Sequence, residues 1–352
     1  MPARSKCSRS SLLRAESLFR ITVAAASLAL AACAGQPRFA GETLISGQTM
    51  GSAWTAKLAG PLPASAQVLQ AGAQARFDAV NLALSTYRAD SALSLFNAVE
   101  AGEWVDIDAE LGEVLAYALS LAQASGGAYD ITVGPLVDLW GFGPGPSTRQ
   151  VPPTAAIDEA RARVGWRGVE VDLAKHRARK RPGMRVDLSS LGKGRGVDRV
   201  AEYLDEQGVT NYLIDLSGKL RARGHNARGE PWRVAVEAPV ADSTSGKPAL
   251  APTVVALHDE SVATAGDYRR FFESGGRHYS HIIDPRTGFP VTHSTVSATA
   301  MAAGCMQADA LATVLMVMPP AEAMALAERM RMRALLISGS YEVQRSGAWP
   351  AR

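Results

Sequence analysis

The residues best suited to chemistry lie between Tyr279 and Thr313. The first part runs Tyr279-Ser280-His281-Ile282-Ile283-Asp284-Pro285-Arg286-Thr287-Gly288-Phe289-Pro290. Its Pro-Arg-Thr-Gly segment reads as a turn, because proline fixes φ and glycine supplies a backbone angle other residues avoid. After a Thr/Ser/Val run from Ser294 to Thr299 comes Ala308-Asp309-Ala310-Leu311-Ala312-Thr313, in an apolar, alanine-rich run of helical character. Asp309 and Thr313 then fall four apart on one helix face. A carboxylate and a hydroxyl at that spacing are hard oxygen ligands, suited to magnesium rather than zinc. On its own such a pair serves solvation or a local hydrogen bond equally well. His281 likewise reads in two ways: a buried ring bonded to the turn it precedes, or a phosphate contact or general base beside a reacting hydroxyl.

Two further clusters invite a ligand. Gly192-Lys193-Gly194-Arg195-Gly196 follows a strand-like run ending at Asp187 and leads into a helix. It fits neither a P-loop, which needs Ser or Thr after the lysine, nor a dinucleotide fingerprint, whose third glycine falls one residue later. Backbone N–H groups and a lysine aimed at one place still suit a pyrophosphate; the other reading is a tight turn that needs glycine for geometry. Ala128-Tyr129-Asp130 closes a Ser-Gly-Gly loop, where Asp130 either accepts hydrogen bonds from a ribose or ring N–H or closes a turn after a helix cap. Met50 and Tyr87 read as core by spacing alone.

Four ordered blocks give these residues a common meaning. They are Thr49-Met50-Gly51-Ser52, Gly127 to Leu136, Val186 to Gly194, and the Ser280–Gly288 segment followed by the Ala308–Thr313 helix. Together they resemble the ApbE family of FAD:protein FMN transferases, over roughly residues 45 to 340. The resemblance implies an α+β fold of antiparallel sheets with packed helices, of the tunnelling-fold type. It implies FAD as substrate and Mg2+ as metal, held by Asp309, Thr313 and the Ser190 backbone carbonyl. It places Met50, Tyr87, Ala128, Tyr129, Asp130, Asp187, Lys193 and Ile283 around the flavin nucleotide, with His281 in the catalytic role. The acceptors it implies are flavoprotein subunits of membrane redox pumps. Water as acceptor would make the chain an FAD pyrophosphatase, and absence of turnover a periplasmic flavin-binding lipoprotein.

The chain departs from the family pattern twice. Leu216-Ser217-Gly218-Lys219 stands where the family has Leu-Gly-Gly-Asp, which puts a base in place of an acid near the nucleotide. Thr264-Ala265-Gly266 stands for Thr-Ser-Gly and loses a hydroxyl. Neither position belongs to the expected metal set.

The N-terminal residues read as an export signal. Arg4, Lys6, Arg9, Arg14 and Arg20 precede an uncharged, mainly apolar run from Ile21 to Ala32 that is too short to span a bilayer. Leu30-Ala31-Ala32-Cys33 resembles a bacterial lipobox, so Cys33 is the expected lipidation site of a membrane-anchored lipoprotein facing the periplasm. A plain signal peptide is the other reading. The net charge of the chain is +3, and residues 1 to 32 carry five bases and one acid. Removing that +4 leaves −1, so the basic balance belongs to the leader and nothing points to nucleic acid. Of the three cysteines, Cys7 leaves with the leader and Cys33 carries lipid. Cys305 is then a lone thiol, which excludes an internal disulfide or a cysteine-based metal site.

The elements that must position these residues follow from periodicity. After a tether at 33–44, residues 45 to 59 alternate as one strand, and Val68–Leu84 and Glu110–Ala124 recur at helical spacing. Gly141–Pro153 is a loop and Thr154–Val164 a short helix. Strands are expected at Val169–Leu173, Met184–Leu188, Tyr212–Asp215, Arg233–Glu237, Thr253–Leu257 and Ala334–Ser338. Helices are expected at Gly194–Gln207, Met306–Met318 and Ala321–Met330. Lys175–Arg181 reads as a solvated hairpin and Pro239–Pro252 as a polar surface insertion. Strands joined by short turns, with helices in clusters, favour α+β over a doubly wound sheet, in a single domain over 45–345.

Overall fold

The computed structural model describes residues 41–99, 102–145, 149–236 and 253–350. Cys33, the leader and the Pro239–Pro252 segment lie outside the described residues. The chain opens with β1 (Thr43–Thr49) and β2 (Ser52–Leu58), then α1 (Ala66–Leu84), α2 (Ala92–Ala98), β3 (Val105–Asp106) and α3 (Ala109–Ala124). There follow α4 (Gly134–Leu139), α5 (Thr154–Ala162), β4 (Val169–Asp172), β5 (Arg177–Lys180) and α6 (Ser189–Glu206). Next come β6 (Tyr212–Leu216), β7 (Lys219–Arg223), β8 (Trp232–Val236), β9 (Thr253–Leu257) and β10 (Ser261–Gly266). Two hairpins, β11 (Phe271–Ser274) with β12 (Arg277–Ser280) and β13 (Ile283–Asp284) with β14 (Phe289–Pro290), precede β15 (Thr295–Ala302). The chain closes with α7 (Cys305–Val317), α8 (Pro320–Arg329), β16 (Arg333–Ser338) and β17 (Val343–Arg345).

An eight-stranded sheet in the order β1-β2-β6-β7-β10-β15-β16-β17 forms the frame, and every neighbouring pair in it is antiparallel. Alternating side chains send one set of residues to each face. On one face Trp54, Tyr212 and Ile214 pack against Phe77 of α1 and Val197, Val200 and Leu204 of α6. Ala298 and Ala300 of β15 meet α7 on the same side. On the other face Val262, Met301 and Leu335 pack against Trp232, Val234 and Leu257 of the β8–β9 pair. Trp54 and Phe77 are fully buried, their rings 5.2 Å apart, and burying each stabilises the fold by about 2–3 kcal/mol.

The helix N-termini are capped locally or from a distance. Ser65 caps α1 by accepting from the Val68 N–H at 3.4 Å, and Asp108 caps α3 at 2.7 Å from the Leu111 N–H. The N-terminus of α7 is capped from a distance: Asp198 of α6 accepts from the Cys305 and Met306 N–H groups at 2.8 and 2.9 Å. Close approach of α6 to α7 is what the glycines of α6 allow. A Cβ on Gly194 would lie 2.5 Å from the Cys305 carbonyl oxygen, and one on Gly196 would lie 2.8 Å from the Phe77 ring.

The α+β arrangement is the one expected, but several elements differ. Residues 45–59 form two strands: Met50 (φ 47°) and Gly51 (φ 69°) make a two-residue left-handed turn, across which alternation continues unbroken. Thr43 and Leu44, read as tether, already belong to β1. Met184–Leu188 is not a strand; Arg185 makes one parallel bridge to Val133 and the Asp187 N–H donates to the Ile131 carbonyl at 2.7 Å. Helix α6 starts at Ser189, so Gly192-Lys193-Gly194 is helix and not a turn. The Lys175–Arg181 hairpin exists, yet Lys180 is buried and donates to the Val99 carbonyl at 2.5 Å. Among the described residues no helix is long and apolar enough to cross a membrane.

Glu110 ties α3 to α6 through ion pairs with Arg195 and Arg199. Burial pushes its carboxyl up, but the two guanidiniums outweigh that and hold it below its ordinary value of 4.5. A carboxyl depressed in the folded state stabilises above its unfolded pKa, and that contribution is lost as pH falls through the folded one. Stability is therefore expected to fall as pH drops below about 4.5, and Glu110→Gln, costing about 2 kcal/mol at neutral pH, is expected to flatten that acid limb in chemical denaturation.

Candidate functional site

A cavity of about 720 Å3 opens at the edge of the sheet where α6 begins, a size suited to a substantial small-molecule ligand. Its floor includes two tight turns from adjacent hairpins. Met50 and Gly51 join β1 to β2, while Ser217 (φ 54°) and Gly218 (φ 82°) join β6 to β7. All twelve residues that the family resemblance assigns to the site line this one cavity: Met50, Tyr87, Ala128, Tyr129, Asp130, Asp187, Ser190, Lys193, His281, Ile283, Asp309 and Thr313. They come from six segments that the fold brings together.

Asp309 is the electrostatic centre. Its carboxylate is buried between α7, α6 and β7: Oδ1 pairs with Lys219 Nζ at 3.0 Å, and Oδ2 accepts from the Gly194 N–H at 3.2 Å. Burial pushes the Asp309 carboxyl up, against the pull of Lys219 and the Gly194 N–H. Lys219 also donates to the Thr264 carbonyl at 2.7 Å. In the sequence Lys219 stands apart from the expected metal set, and Asp309 by itself reads equally as a solvated group. Both expectations are corrected here, because α7 crosses α6 at backbone contact and leaves its polar face no route to solvent except the cavity. The base at position 219 was visible in the sequence as a departure; its partner was not.

The Gly194 N–H is the donor that a regular helix turns toward the carbonyl of Ser190. Here it also reaches Asp309 Oδ2, and Ser190 and Asp309 line the same cavity. Thr313 donates its hydroxyl to the Asp309 carbonyl at 3.1 Å, leaving its oxygen lone pairs as acceptors. Among the described residues no group of three or more His, Cys, Asp and Glu side chains could hold a metal. What the site offers is one carboxylate, one hydroxyl and a backbone carbonyl, all hard oxygens. That donor set fits a magnesium-type ion completing its shell from substrate and water, and does not fit zinc.

His281 lines the same cavity. Its N–H and its ring Nδ1 lie 3.0 and 3.1 Å from the Arg270 carbonyl. A carbonyl only accepts, so in the neutral ring Nδ1 carries the proton and Nε2 is the basic nitrogen. The ring also meets Phe142 edge-on at 6.3 Å. Phe142 belongs to an aromatic group with Trp140, Phe272 and Tyr279 that anchors both small hairpins. Arg270 donates to the Phe142 carbonyl at 2.9 Å. No sequence pattern singled out Arg270, because its contribution is a backbone carbonyl.

The remaining residues divide by what their side chains touch. Tyr129 is buried, with its hydroxyl 2.9 Å from Ser190 Oγ, and burial raises its pKa so that it stays a neutral hydrogen-bonding group. Asp130 accepts from the Thr132 N–H and hydroxyl at 2.8 and 2.6 Å and from the Trp166 N–H at 2.8 Å. Of its two sequence readings, the carboxylate fills the turn-closing one. Asp187 accepts from the Ser189 N–H at 2.8 Å, at the start of α6. Lys193 Nζ donates to Ser52 Oγ at 3.2 Å, so the first hairpin and α6 share it. Tyr87 is 61% exposed at the rim, Ile283 is buried in the aromatic group, and Met50 lies between the two main apolar clusters.

Fold and cavity define a mixed α+β protein with a large cavity beside a buried carboxylate. The chain belongs to the ApbE family, whose sequence model matches residues 50–336. It is 40% identical over 316 residues to the FAD:protein FMN transferase of Vibrio cholerae, covering 90% of this chain and 92% of that one. Against the FAD:protein FMN transferase of Escherichia coli K12 it is 34% identical over 330 residues, covering 92% and 93%. The solved flavin transferase ApbE of Vibrio cholerae superposes with a TM-score of 0.80 at 37% identity, over 88% of this chain and 98% of that chain. The apo flavinyl transferase ApbE of Pseudomonas stutzeri gives 0.79 at 35% identity, over 87% and 95%.

Two glycines one helical half-turn apart separate packing from ligand space. Gly194→Ala is expected to lose about 2–3 kcal/mol, since its Cβ meets backbone atoms of α7 that cannot yield. A Cβ on Gly192 meets nothing within 4 Å, so Gly192→Ala is expected to keep or raise stability by up to about 1 kcal/mol. Its methyl enters cavity space, and weaker flavin-nucleotide binding in a fluorescence titration is the expected result.

Proposed function

We propose that this chain is an enzyme that transfers the FMN moiety of FAD to a Ser or Thr hydroxyl of an acceptor protein and releases AMP. The observation that carries this reading is the placement of His281, oriented by the Arg270 carbonyl, in the same cavity as Lys193 and the Asp309–Thr313 pair. Its support is membership of a family whose relatives carry that activity in their names.

The chemistry is phosphoryl transfer. A bond forms between the acceptor oxygen and the FMN phosphorus, the bridging bond to the AMP phosphate breaks, and the hydroxyl proton leaves through a base. His281 takes that proton on Nε2, because Nδ1 is committed to the Arg270 carbonyl. Lys193 brings positive charge to the phosphate-bearing end of the cavity, whereas the N–H groups of Ser189, Leu191 and Gly192 at the start of α6 are taken up by Asp187 and the Leu188 carbonyl. Asp309, Thr313 and the Ser190 carbonyl would hold Mg2+, which when bound neutralises charge on the pyrophosphate oxygens. Keeping the acceptor hydroxyl in line and excluding water is the protein's main contribution.

The reading extends to an exported protein lipidated at Cys33, acting on flavoprotein subunits of membrane redox pumps. That extension rests on the leader and the family resemblance.

Incubation with FAD and Mg2+, with and without a Thr-containing acceptor, tests the reaction. Flavin fixed to the acceptor together with AMP is the expected outcome. Free FMN plus AMP would assign water as the acceptor, and intact FAD would leave a binding protein. His281→Asn is expected to lower kcat about 10^2–10^4-fold while FAD binding is retained. Asp309→Asn is the better metal-site variant than Asp309→Ala, because the alanine also strands the Lys219 ammonium in a buried site. For export, Cys33→Ser is expected to move the protein from the membrane to the soluble fraction, and intact lipid on that variant would refute the assignment.

A further inference from the structure

We infer that Lys219 is a resident cation of the metal carboxylate: its ammonium holds Asp309 in the metal-free protein, so divalent-ion binding is an exchange of one cation for another. The inference deepens the proposed function and rests on its reading of Asp309 as a metal ligand.

The geometry is specific. Lys219 Nζ lies 3.0 Å from Asp309 Oδ1, with side chains 13% and 4% exposed. The opposite oxygen is engaged by the Gly194 N–H, so the carboxylate has no oxygen without a donor. Lys219 is fixed at its root, because it is the first residue of β7 and pairs with Leu216 across a two-residue turn. Two residues along the same strand face, Arg221 pairs with Asp198 at 2.5 Å. One strand thus supplies a cation to an aspartate on each of two helices. The two aspartates differ in what else they do. Asp198 caps two N–H groups of α7, a structural task that needs no metal. Asp309 borders the cavity beside Thr313.

A divalent ion bound to Asp309 shares a poorly hydrated space with that ammonium, and like charges repel strongly there. Lys219 has an alternative acceptor in the Thr264 carbonyl at 2.7 Å, which lets the ammonium release Oδ1 without losing every partner. With an amine countering the carboxylate, the empty protein offers a divalent ion little net negative charge. The missing charge comes from the phosphates of the dinucleotide, so metal and nucleotide favour each other's binding, with the reciprocity that linkage requires. An acid at position 219, as in the family pattern, would give the empty protein a stronger metal site.

The test is Mn2+ titration of the full chain followed by electron paramagnetic resonance, without nucleotide, at neutral pH. Lys219→Met is expected to bind Mn2+ about tenfold or more tighter than the unaltered protein. Lys219→Asp is expected to bind tighter still, and Lys219→Arg to bind as the unaltered protein does. Equal affinity in the unaltered protein and Lys219→Met overturns the inference while leaving the metal site in place. Asp309→Asn tells the two apart: if it binds Mn2+ as well as the unaltered protein, the metal-site reading itself fails. Should Lys219→Met not fold, acylation of Lys219 in the unaltered protein, followed by peptide mass spectrometry with Lys57 as reference, decides. Saturating Mn2+ is expected to speed labelling of Lys219 several-fold relative to Lys57, and an unchanged ratio overturns the exchange.

Discussion

The buried contact of Asp309 with Lys219 and the Gly194 N–H joins three elements at one point. It locks α7 to α6 and both to β7, and it decides where negative charge sits in the cavity. A carboxylate removed from water is costly unless donors surround it, so the crossing of α6 and α7, the glycine that permits it and the base on β7 form one solution. The Arg221–Asp198 contact repeats the device a turn away for a different end, capping α7. Site and scaffold are therefore not separable here. The group proposed to do chemistry is also the group that registers the helices.

Much of the fold was legible because it rests on strong local signals. The long helices α1 and α3 and strands such as β4, β6 and β9 carry clear periodicity. The central strands β10 and β15 were not read. Their sequences, Ser261-Val-Ala-Thr-Ala-Gly266 and Thr295-Val-Ser-Ala-Thr-Ala-Met-Ala302, are built of small residues with little apolar contrast. They are buried on both faces, and their smallness lets α7 lie close against the sheet. The pattern that hides them from periodicity is the one the packing requires.

The site was legible in a different way. Ordered motifs placed twelve residues around one ligand, and they do meet in one cavity. What the motifs do not carry is which atoms are already engaged. Asp130 holds a turn, Gly194 serves a helix crossing and a carboxylate, and Arg270 acts through its carbonyl. Several such roles depend on contacts between distant segments, Gly194 with Asp309 and Lys219 with Asp309 among them, for which no local residue pattern exists. A charge reversal at position 219 was visible at once, and only three-dimensional proximity shows that it meets a buried carboxylate of the cavity.

The two left-handed turns, Met50-Gly51 and Ser217-Gly218, carry a consequence for how recognition is distributed. Two-residue connections between paired strands leave the floor no slack with which to reshape itself around a bound molecule. Freedom to vary is left to the rim, where Tyr87 stands exposed outside the large sheet. Preference for a macromolecular partner can drift at that margin, one surface side chain at a time, while the ground on which the small substrate rests stays unaltered.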